Sequence, residues 1–332
     1  MYPRVSDLFR DLLGFELPFP IYSFGLMVAV AILAGAALVK RELDRMHAAT
    51  LLPGVRVKVR DGKGRDRYET ASPSTLVWTL MLLAAAVGIA GSKLFYFFEQ
   101  WPTFVRDPIG VALSPAGLTF YGGLICGAAA IAWYVRRKGL PVGRVADAVA
   151  PALMLGYGIG RIGCYLAGDG DWGVCADLAS KPGWIPGFLW AETFPNNILG
   201  VNVITDTALK AARLGFPDGV CAGADGVYPT MLYETAVAVL LFGGLWMIRK
   251  HPFRAGWLFW LYLVLTGVAR FVVEEIRLNP DVIGSLSQAQ LISIALALVG
   301  LAGLVASSRR ATPAAPAAPA QPNVVIPIGG RI

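Results

Sequence analysis

The chain has 332 residues, of which 56% are hydrophobic and 15% are charged, with a net charge of +7. Soluble domains carry about a quarter charged residues, so this composition indicates a protein whose solvent is a lipid bilayer. The basic residues lie in short segments between apolar runs, which favours membrane topology over nucleic-acid binding as the origin of the charge. The four cysteines match no zinc-site spacing and no Cys-x-x-Cys pair, so we expect no metal and no cofactor.

The first segment, residues 1–20, contains five charged side chains and no small-residue cleavage site before the first apolar run. It therefore does not resemble a cleaved signal peptide, and we expect the first span to be retained.

Seven apolar runs follow, and several reach the roughly 20 residues that a helix needs to cross a bilayer. They predict an all-α polytopic membrane protein of about seven transmembrane helices, with a membrane domain over residues 21–310. The runs are centred on residues 21–39, 76–91, 118–135, 145–165, 231–248, 257–273 and 291–306.

Basic residues dominate the loops after the first and third runs, which predicts that both loops are cytoplasmic. Alternation then places the N-terminus outside and the C-terminus in the cytoplasm. Within the first loop, residues 55–68 alternate around Asp61-Gly62 and suggest a small hairpin. The Ala/Pro-rich composition of residues 311–332 predicts a disordered tail.

Residues 168–228 form the longest loop and fall on the outer side, where seven acidic residues outnumber three basic ones. Their Gly, Pro and Asp content predicts a small extracytoplasmic head of irregular chain with turns. Aromatic side chains in this head suit a lipid–water boundary. They are Trp172, Trp184, Phe188 and Trp190.

Two cysteines of the head, Cys175 and Cys221, are the only ones placed well outside the membrane on the oxidising side. We expect a disulfide between them, and the alternative is two unpaired cysteines in a flexible loop. Cys126 and Cys164 lie in predicted helices and should remain thiols.

Charged residues at membrane depth cost several kcal/mol each, so they are candidates for function. Arg161 lies in a glycine-rich helix close to Asp169 and Asp171. It could form an anion site, with one of these carboxylates as its counter-charge. The alternative is an arginine that snorkels to the boundary and is capped by those carboxylates.

The sixth run ends with a second charged group. At 100 degrees per residue, Arg270, Glu274 and Arg277 project within about 60 degrees of one another, so two guanidiniums flank one carboxylate and could bind phosphate. A salt-bridge ladder at the membrane boundary is the alternative. Glu275 projects elsewhere and should be solvated.

The third and fifth runs begin with tyrosine motifs, YGGLIC at 121–126 and YPTMLYE at 228–234. Boundary tyrosines are common, so by themselves these favour membrane anchors. Together with GRIGCY at 160–165 and Arg270-x3-Glu274-x2-Arg277, however, they resemble four ordered motifs of the prolipoprotein diacylglyceryl transferase family. That family has His-Gly-Gly-Leu-Ile-Gly, Gly-Arg-Ile/Leu-Gly-Asn-Phe followed by an acidic residue and Trp-Gly, His-Pro-Ser-Gln-Leu-Tyr-Glu, and the same arginine–glutamate helix.

The resemblance covers roughly residues 22–306 and implies a function. A lipobox cysteine thiol of a prolipoprotein signal peptide attacks the glycerol carbon of phosphatidylglycerol, glycerol phosphate leaves, and a thioether remains. The implied catalytic residues are Tyr121, Arg270, Glu274 and Arg277. The implied substrate-binding residues are Arg161, Gly122, Gly123, Cys164, Asp169, Asp171, Gly173, Tyr233 and Glu234.

The sequence also departs from the family motifs. Tyr121 and Tyr228 replace the two family histidines, Cys164 replaces an asparagine, and Met231 replaces a glutamine. A phenol with a pKa near 10 is a poor base at neutral pH. Either the chemistry needs no histidine, or this is a divergent branch with another acceptor or lipid.

Two other classes of function remain open from the sequence. A non-catalytic lipid-binding or lipoprotein-handling paralogue would use the same arginines without activating a thiol, and a transporter would use the glycine-interrupted helices. Clustering of the charged groups at one face disfavours transport. We predict that Arg161, Arg270 and Glu274 converge on one outward-opening cavity.

Overall fold

The computed structural model describes residues 2–15, 18–60, 66–114, 119–216 and 221–309, and the predicted tail lies outside this part. The described residues are mostly helical. The helices are α1 Val5–Leu13, α2 Ser23–Ala48, α3 Val77–Glu99, α4 Trp101–Arg106, α5 Pro108–Leu113, α6 Phe120–Arg137, α7 Val142–Ala167, α8 Val203–Arg213, α9 Thr230–Ile248, α10 Trp257–Glu274 and α11 Gln288–Ser307. The strands are β1 Val55–Arg60, β2 Asp66–Ala71, β3 Cys175–Ala176, β4 Gly226–Val227, β5 Asp281–Ile283 and β6 Leu286–Ser287.

Six described helices are long and apolar enough to cross a membrane, so this is a multi-pass membrane protein. They are α2, α3 with its preceding turn, α7, α9, α10 and α11. The third predicted span is α6, which is 18 residues long and ends in two arginines. It packs against α3 along its length.

Glycines allow α3 and α6 to approach closely, as small residues do in membrane bundles. A Cβ on Gly122 would lie 2.6 Å from the carbonyl oxygen of Gly91, and one on Gly123 would lie 2.4 Å from Ser92 Oγ. The structure therefore places Gly122 and Gly123 in the contact between these two helices.

The bundle has two ends, which we call the head end and the basic end. At the head end, α7 terminates at Gly168, whose φ of 62° is the left-handed conformation that favours glycine after a helix. At the basic end, the buried Asp147 of α7 accepts hydrogen bonds from the backbone nitrogens of Gly256 (2.7 Å) and Phe259 (3.0 Å). Its carboxylate thereby fixes the start of α10 against α7.

The hairpin predicted in the first loop is present, because β1 and β2 pair antiparallel from Val55 with Ala71 to Arg60 with Asp66. It extends three residues beyond the predicted range, and its turn lies outside the described residues. Val55 is buried against α2 residues Leu43 and Met46, so the hairpin packs on the basic end.

The loop between α7 and α9 is more ordered than its composition predicts. It contains α8, which begins where the Asn202 side chain accepts from Thr205 N at 3.0 Å, a cap that stabilises a helix start. Trp172 is not a boundary residue as predicted: it packs on the fully buried Phe194 and donates to Thr207 Oγ1 at 3.0 Å. Trp184, in contrast, is 84% exposed.

Cys175 and Cys221 are joined by a disulfide, with an S–S distance of 2.00 Å and a sequence separation of 46 residues. Cys126 and Cys164 are free thiols. The bridge connects β3 to the chain that precedes β4, and so closes the segment that contains α8.

Replacing both bridged cysteines by serine should lower the stability of the head by about 4 kcal/mol, because the unfolded loop regains the freedom that the bridge removes. Limited proteolysis of the purified protein against temperature would measure this as earlier cleavage within residues 168–228. Cys126→Ser is the matched control, since that thiol is unpaired in α6. Equal cleavage temperatures for all three proteins would contradict the prediction.

Candidate active site

Six charged side chains from separate parts of the chain meet at the head end. Arg161 comes from α7, Asp171 from the chain after α7, and Glu234 from α9, near its start. The other three come from the end of α10 and the turn that follows it. They are Arg270, Glu274 and Arg277.

Four of these side chains form a closed ion-pair ring. Arg161 contacts Glu234 Oε2 through Nε and Asp171 Oδ2 through Nη1. Arg277 contacts the other oxygen of each carboxylate, with Nη1 at 3.3 Å from Glu234 Oε1 and Nη2 at 2.5 Å from Asp171 Oδ1. Glu234 is only 3% exposed, so water screens its pairs weakly and the ring is held rigidly.

Arg270 lies beside the ring and keeps a donor free. Its Nη2 is 2.8 Å from Glu274 Oε2, and its Nη1 is 3.6 Å from Glu234 Oε1. That Nη1 is buried and has no hydrogen-bond partner among the described residues. The donor is therefore available to an anionic oxygen entering the site.

Glu274 is fixed in turn by two neutral donors. Asn279 Nδ2 and Ser287 Oγ lie 2.6 Å and 2.7 Å from its Oε1. These donors hold one oxygen of the Glu274 carboxylate, and Arg270 contacts the other. The fixed carboxylate therefore orients the Arg270 guanidinium.

The predicted face of α10 is correct for Arg270 and Glu274 but wrong for Arg277. Helix α10 ends at Glu274, so the helical projection does not extend to Arg277, whose side chain turns to the ring instead. Glu275 is exposed as expected, although it also accepts from Gln290 Nε2 at 2.7 Å.

The two aspartates after α7 differ in their electrostatic surroundings. Burial raises the pKa of Asp171, but Arg277 and Arg161 outweigh burial and hold that pKa below its ordinary value. Burial also raises the pKa of Asp169. At this residue the effect of burial is larger than the opposing effects, so the pKa lies above its ordinary value. No described guanidinium forms an ion pair with Asp169, whose carboxylate accepts hydrogen bonds from the Cys164 thiol and from the backbone nitrogen of Asp171 at 3.3 Å.

Cys164, Asp169 and Asp171 offer three ligand atoms within 4.8 Å of one another. Two guanidiniums already bind Asp171, so a cation placed there would face their repulsion. This donor set fits an arginine site better than a metal site.

Other predicted site residues lie outside the network. Tyr121 is on α6, and within the described residues no hydrogen bond or ion pair joins it to the six charged groups; its ring contacts Phe120. Gly173 packs against the carbonyl oxygen of Ile276, where a Cβ would come within 2.6 Å. Tyr233 donates its hydroxyl to the carbonyl of Leu189 in the head.

Tyr233 also lines an apolar cavity of about 510 Å³ between the head and α9. Trp184 and Trp190 form its head side, and Leu232 and Ala236 form its α9 side. The cavity adjoins the segment that carries the charged network.

The sequence model of the family described as prolipoprotein diacylglyceryl transferase matches residues 12–306. The chain belongs to this family. The match includes every residue of the charged network.

Named relatives carry the same description. A phosphatidylglycerol–prolipoprotein diacylglyceryl transferase of Bacillus cereus (strain 03BB102) is 27% identical over 295 residues, covering 87% of this chain and 88% of the relative. The protein of that name from Bacillus thuringiensis subsp. konkukian has the same identity and coverage. One from Bacillus anthracis (strain CDC 684 / NRRL 3495) is 26% identical with the same coverage.

Sequence reasoning missed several residues that contact the charged network. Tyr157 donates its hydroxyl to Glu234 Oε2, and the Arg161 guanidinium lies 5.2 Å from the Tyr157 ring centre. The i, i+4 spacing of Tyr157 and Arg161 could have indicated this contact. The capping-box pattern at Ser287 and Gln290 marked the start of α11, but nothing in the sequence links Ser287 to Glu274.

Proposed function

We propose that this protein transfers the diacylglyceryl group of phosphatidylglycerol to the lipobox cysteine of prolipoproteins, releasing glycerol phosphate. The observation that carries the proposal is the buried Nη1 of Arg270 beside the ion-pair ring, in a chain that belongs to this transferase family. This nitrogen lies 3.6 Å from Glu234 Oε1 but makes no hydrogen bond to a described residue. A guanidinium with a free donor suits a phosphate oxygen, and the neighbouring carboxylates fix its direction.

In the proposed reaction, the thiolate sulfur attacks the glycerol carbon of the diacylglyceryl group. The carbon–oxygen bond to the phosphate breaks, and its electron pair leaves with glycerol phosphate. Negative charge grows on that leaving oxygen, where Arg270 stabilises it in a site of low dielectric constant. Arg161 and Arg277 act indirectly, because they hold Glu234, whose Oε1 lies 3.6 Å from Arg270 Nη1.

Asp169 is the best candidate for the base that accepts the thiol proton. Asp171, Glu234 and Glu274 each bind at least one guanidinium, so their carboxylate oxygens are already engaged in ion pairs. Asp169 has no such partner among the described residues, and its raised pKa makes it a stronger base than an ordinary aspartate. Tyr121, the residue at the position of the family histidine, lacks a described contact with the network.

Asp169→Asn should therefore reduce transfer by about 100-fold while phosphatidylglycerol binding is preserved. Tyr121→Phe should leave the transfer rate unchanged. Because a base must be deprotonated, wild-type kcat/KM should fall as the pH drops through the raised pKa of Asp169, and this limb should be absent in Asp169→Asn. A large loss in Tyr121→Phe with an unaffected Asp169→Asn would assign the proton transfer to Tyr121.

The proposed topology places the head end, with residues 1–20 and the head of residues 168–228, outside the bacterial inner membrane. Basic residues at the opposite end favour the cytoplasm for that end. Lipobox cysteines of exported prolipoproteins would then meet the ion-pair ring at the outer leaflet. The tail of residues 311–332 would be cytoplasmic.

The deciding experiment combines purified protein, phosphatidylglycerol labelled in its diacylglyceryl group, and a lipobox peptide. Label on the peptide that is lost when its cysteine is changed to serine supports the transferase. Lipid binding without transfer would instead support the non-catalytic paralogue. Rescue of a strain that lacks its own diacylglyceryl transferase tests the same activity in cells.

A further inference from the structure

The basic end holds a second arginine cluster, beside the C-terminal ends of α2 and α9. Glu42 of α2 is 1% exposed, and Arg45 donates three hydrogen bonds of 2.5–3.0 Å to its carboxylate. Arg249, after the last residue of α9, places Nε 3.4 Å from Glu42 Oε2. Arg45 already compensates the negative charge of Glu42, so the positive charge of Arg249 remains uncompensated.

A second unbalanced guanidinium lies nearby. The guanidinium carbons of Arg249 and Arg41 lie 4.0 Å and 5.9 Å from the centre of the same Trp246 ring. Nε of Arg249 is buried and makes no hydrogen bond to the described residues, whereas Nη1 donates to the carbonyl oxygen of Trp246. Arg41 forms no ion pair with a described carboxylate. The Trp246 ring therefore has two guanidiniums beside it whose charges are not fully balanced.

Such an arrangement favours a shared anion. Two guanidiniums at one ring repel each other, and the repulsion grows in the low dielectric of a membrane boundary. A phosphodiester carries one negative charge and two free oxygens that can accept from guanidiniums, so one placed between Arg41 and Arg249 would offset their repulsion.

The surroundings indicate that the phosphate belongs to a lipid. Tryptophan is typical of the lipid–water boundary, which places Trp246 at headgroup depth. Next to it, α9 exposes Leu240 (74%) and Met247 (81%), which offer an apolar surface to acyl chains. Basic pockets at helix ends bind anionic headgroups in this way.

We propose that Arg41 and Arg249 bind the phosphate of an anionic phospholipid in the leaflet at the basic end, with its acyl chains along α9. This lipid is separate from any lipid at the ion-pair ring, because the two arginine clusters lie at opposite ends of the bundle. The inference does not depend on the transfer reaction.

The test counts lipid molecules retained by the intact protein. Wild type and variants are placed in nanodiscs of phosphatidylcholine containing phosphatidylserine and then extracted with mild detergent. Native mass spectrometry measures the mass of each protein with the lipids that it retains. Arg41→Gln/Arg249→Gln should retain about tenfold less phosphatidylserine than wild type. Arg41→Gln alone leaves the Arg249–Glu42 contact in place and should lose part of this retention, which guards against misfolding of the double variant.

Arg136→Gln/Arg137→Gln is the matched control, because it removes two charges at the same end. Arg137 also lies over a tryptophan, Trp133, at 5.3 Å. This control should retain phosphatidylserine as wild type does. Equal retention in all proteins, or an equal loss in the control, would overturn the proposed site. Displacement of the lipid by millimolar inorganic phosphate would show that the site takes a free anion instead.

Discussion

Replacing Arg270 by lysine should lower the rate of diacylglyceryl transfer by about 100-fold, although the charge is kept. A lysine ammonium is a single point of charge on a flexible stem, whereas the guanidinium contacts Glu274 through one nitrogen and keeps Nη1 free. The variant cannot hold the carboxylate and a phosphate oxygen in the same fixed geometry.

Steady-state kinetics with the labelled lipid would separate binding from catalysis. We expect most of the loss in kcat, because the contact strengthens as charge develops on the leaving oxygen. Arg136→Lys, at the basic end, makes the same chemical change away from the network and should be neutral. Wild-type turnover in Arg270→Lys would show that Arg270 serves the fold alone.

Much of this site can be predicted from the sequence because membrane depth makes each charged residue conspicuous. Arg270 and Glu274 are one helical turn apart, so their pairing follows from geometry alone. The convergence of Arg161 on the same network also follows, since both residues lie at the ends of helices assigned to one face of the bilayer. Arg161 and Arg270 both contact Glu234. The sequence indicated Glu234 as a site residue only through its position in the YPTMLYE motif.

What the sequence did not predict depends on where helices end and how the head folds. Arg277 lies three residues beyond the end of α10, and this small change in boundary moves it from Glu274 to Asp171. Trp172 was predicted at the boundary because a tryptophan in a polar loop suits a membrane surface. It became a core residue because α8 covers it, and a short helix among glycines and prolines gives little periodic signal.

Glu234→Gln should have a large effect on both folding and transfer, because Glu234 contacts all three arginines of the network. Glutamine keeps the shape and one acceptor but removes the charge that separates Arg161 from Arg277. Breaking a buried ion pair by removing one partner costs about 3–5 kcal/mol, since the remaining charges stay buried without compensation. The Tyr157 hydroxyl would also lose its charged acceptor.

Thermal unfolding and transfer assays on the same preparations would measure the two effects. Glu192→Gln is the control: Glu192 accepts from Tyr165 at 3.2 Å in the adjoining head and forms no ion pair with a described residue, so it should cost little. The double variant Glu234→Gln/Arg277→Gln restores the charge balance and should regain part of the lost stability without regaining activity, because Asp171 and Arg161 alone cannot close the ring. If Glu234→Gln unfolds at the wild-type temperature and transfers at the wild-type rate, the ring contributes to neither property, and Arg270 must be positioned by Glu274 alone.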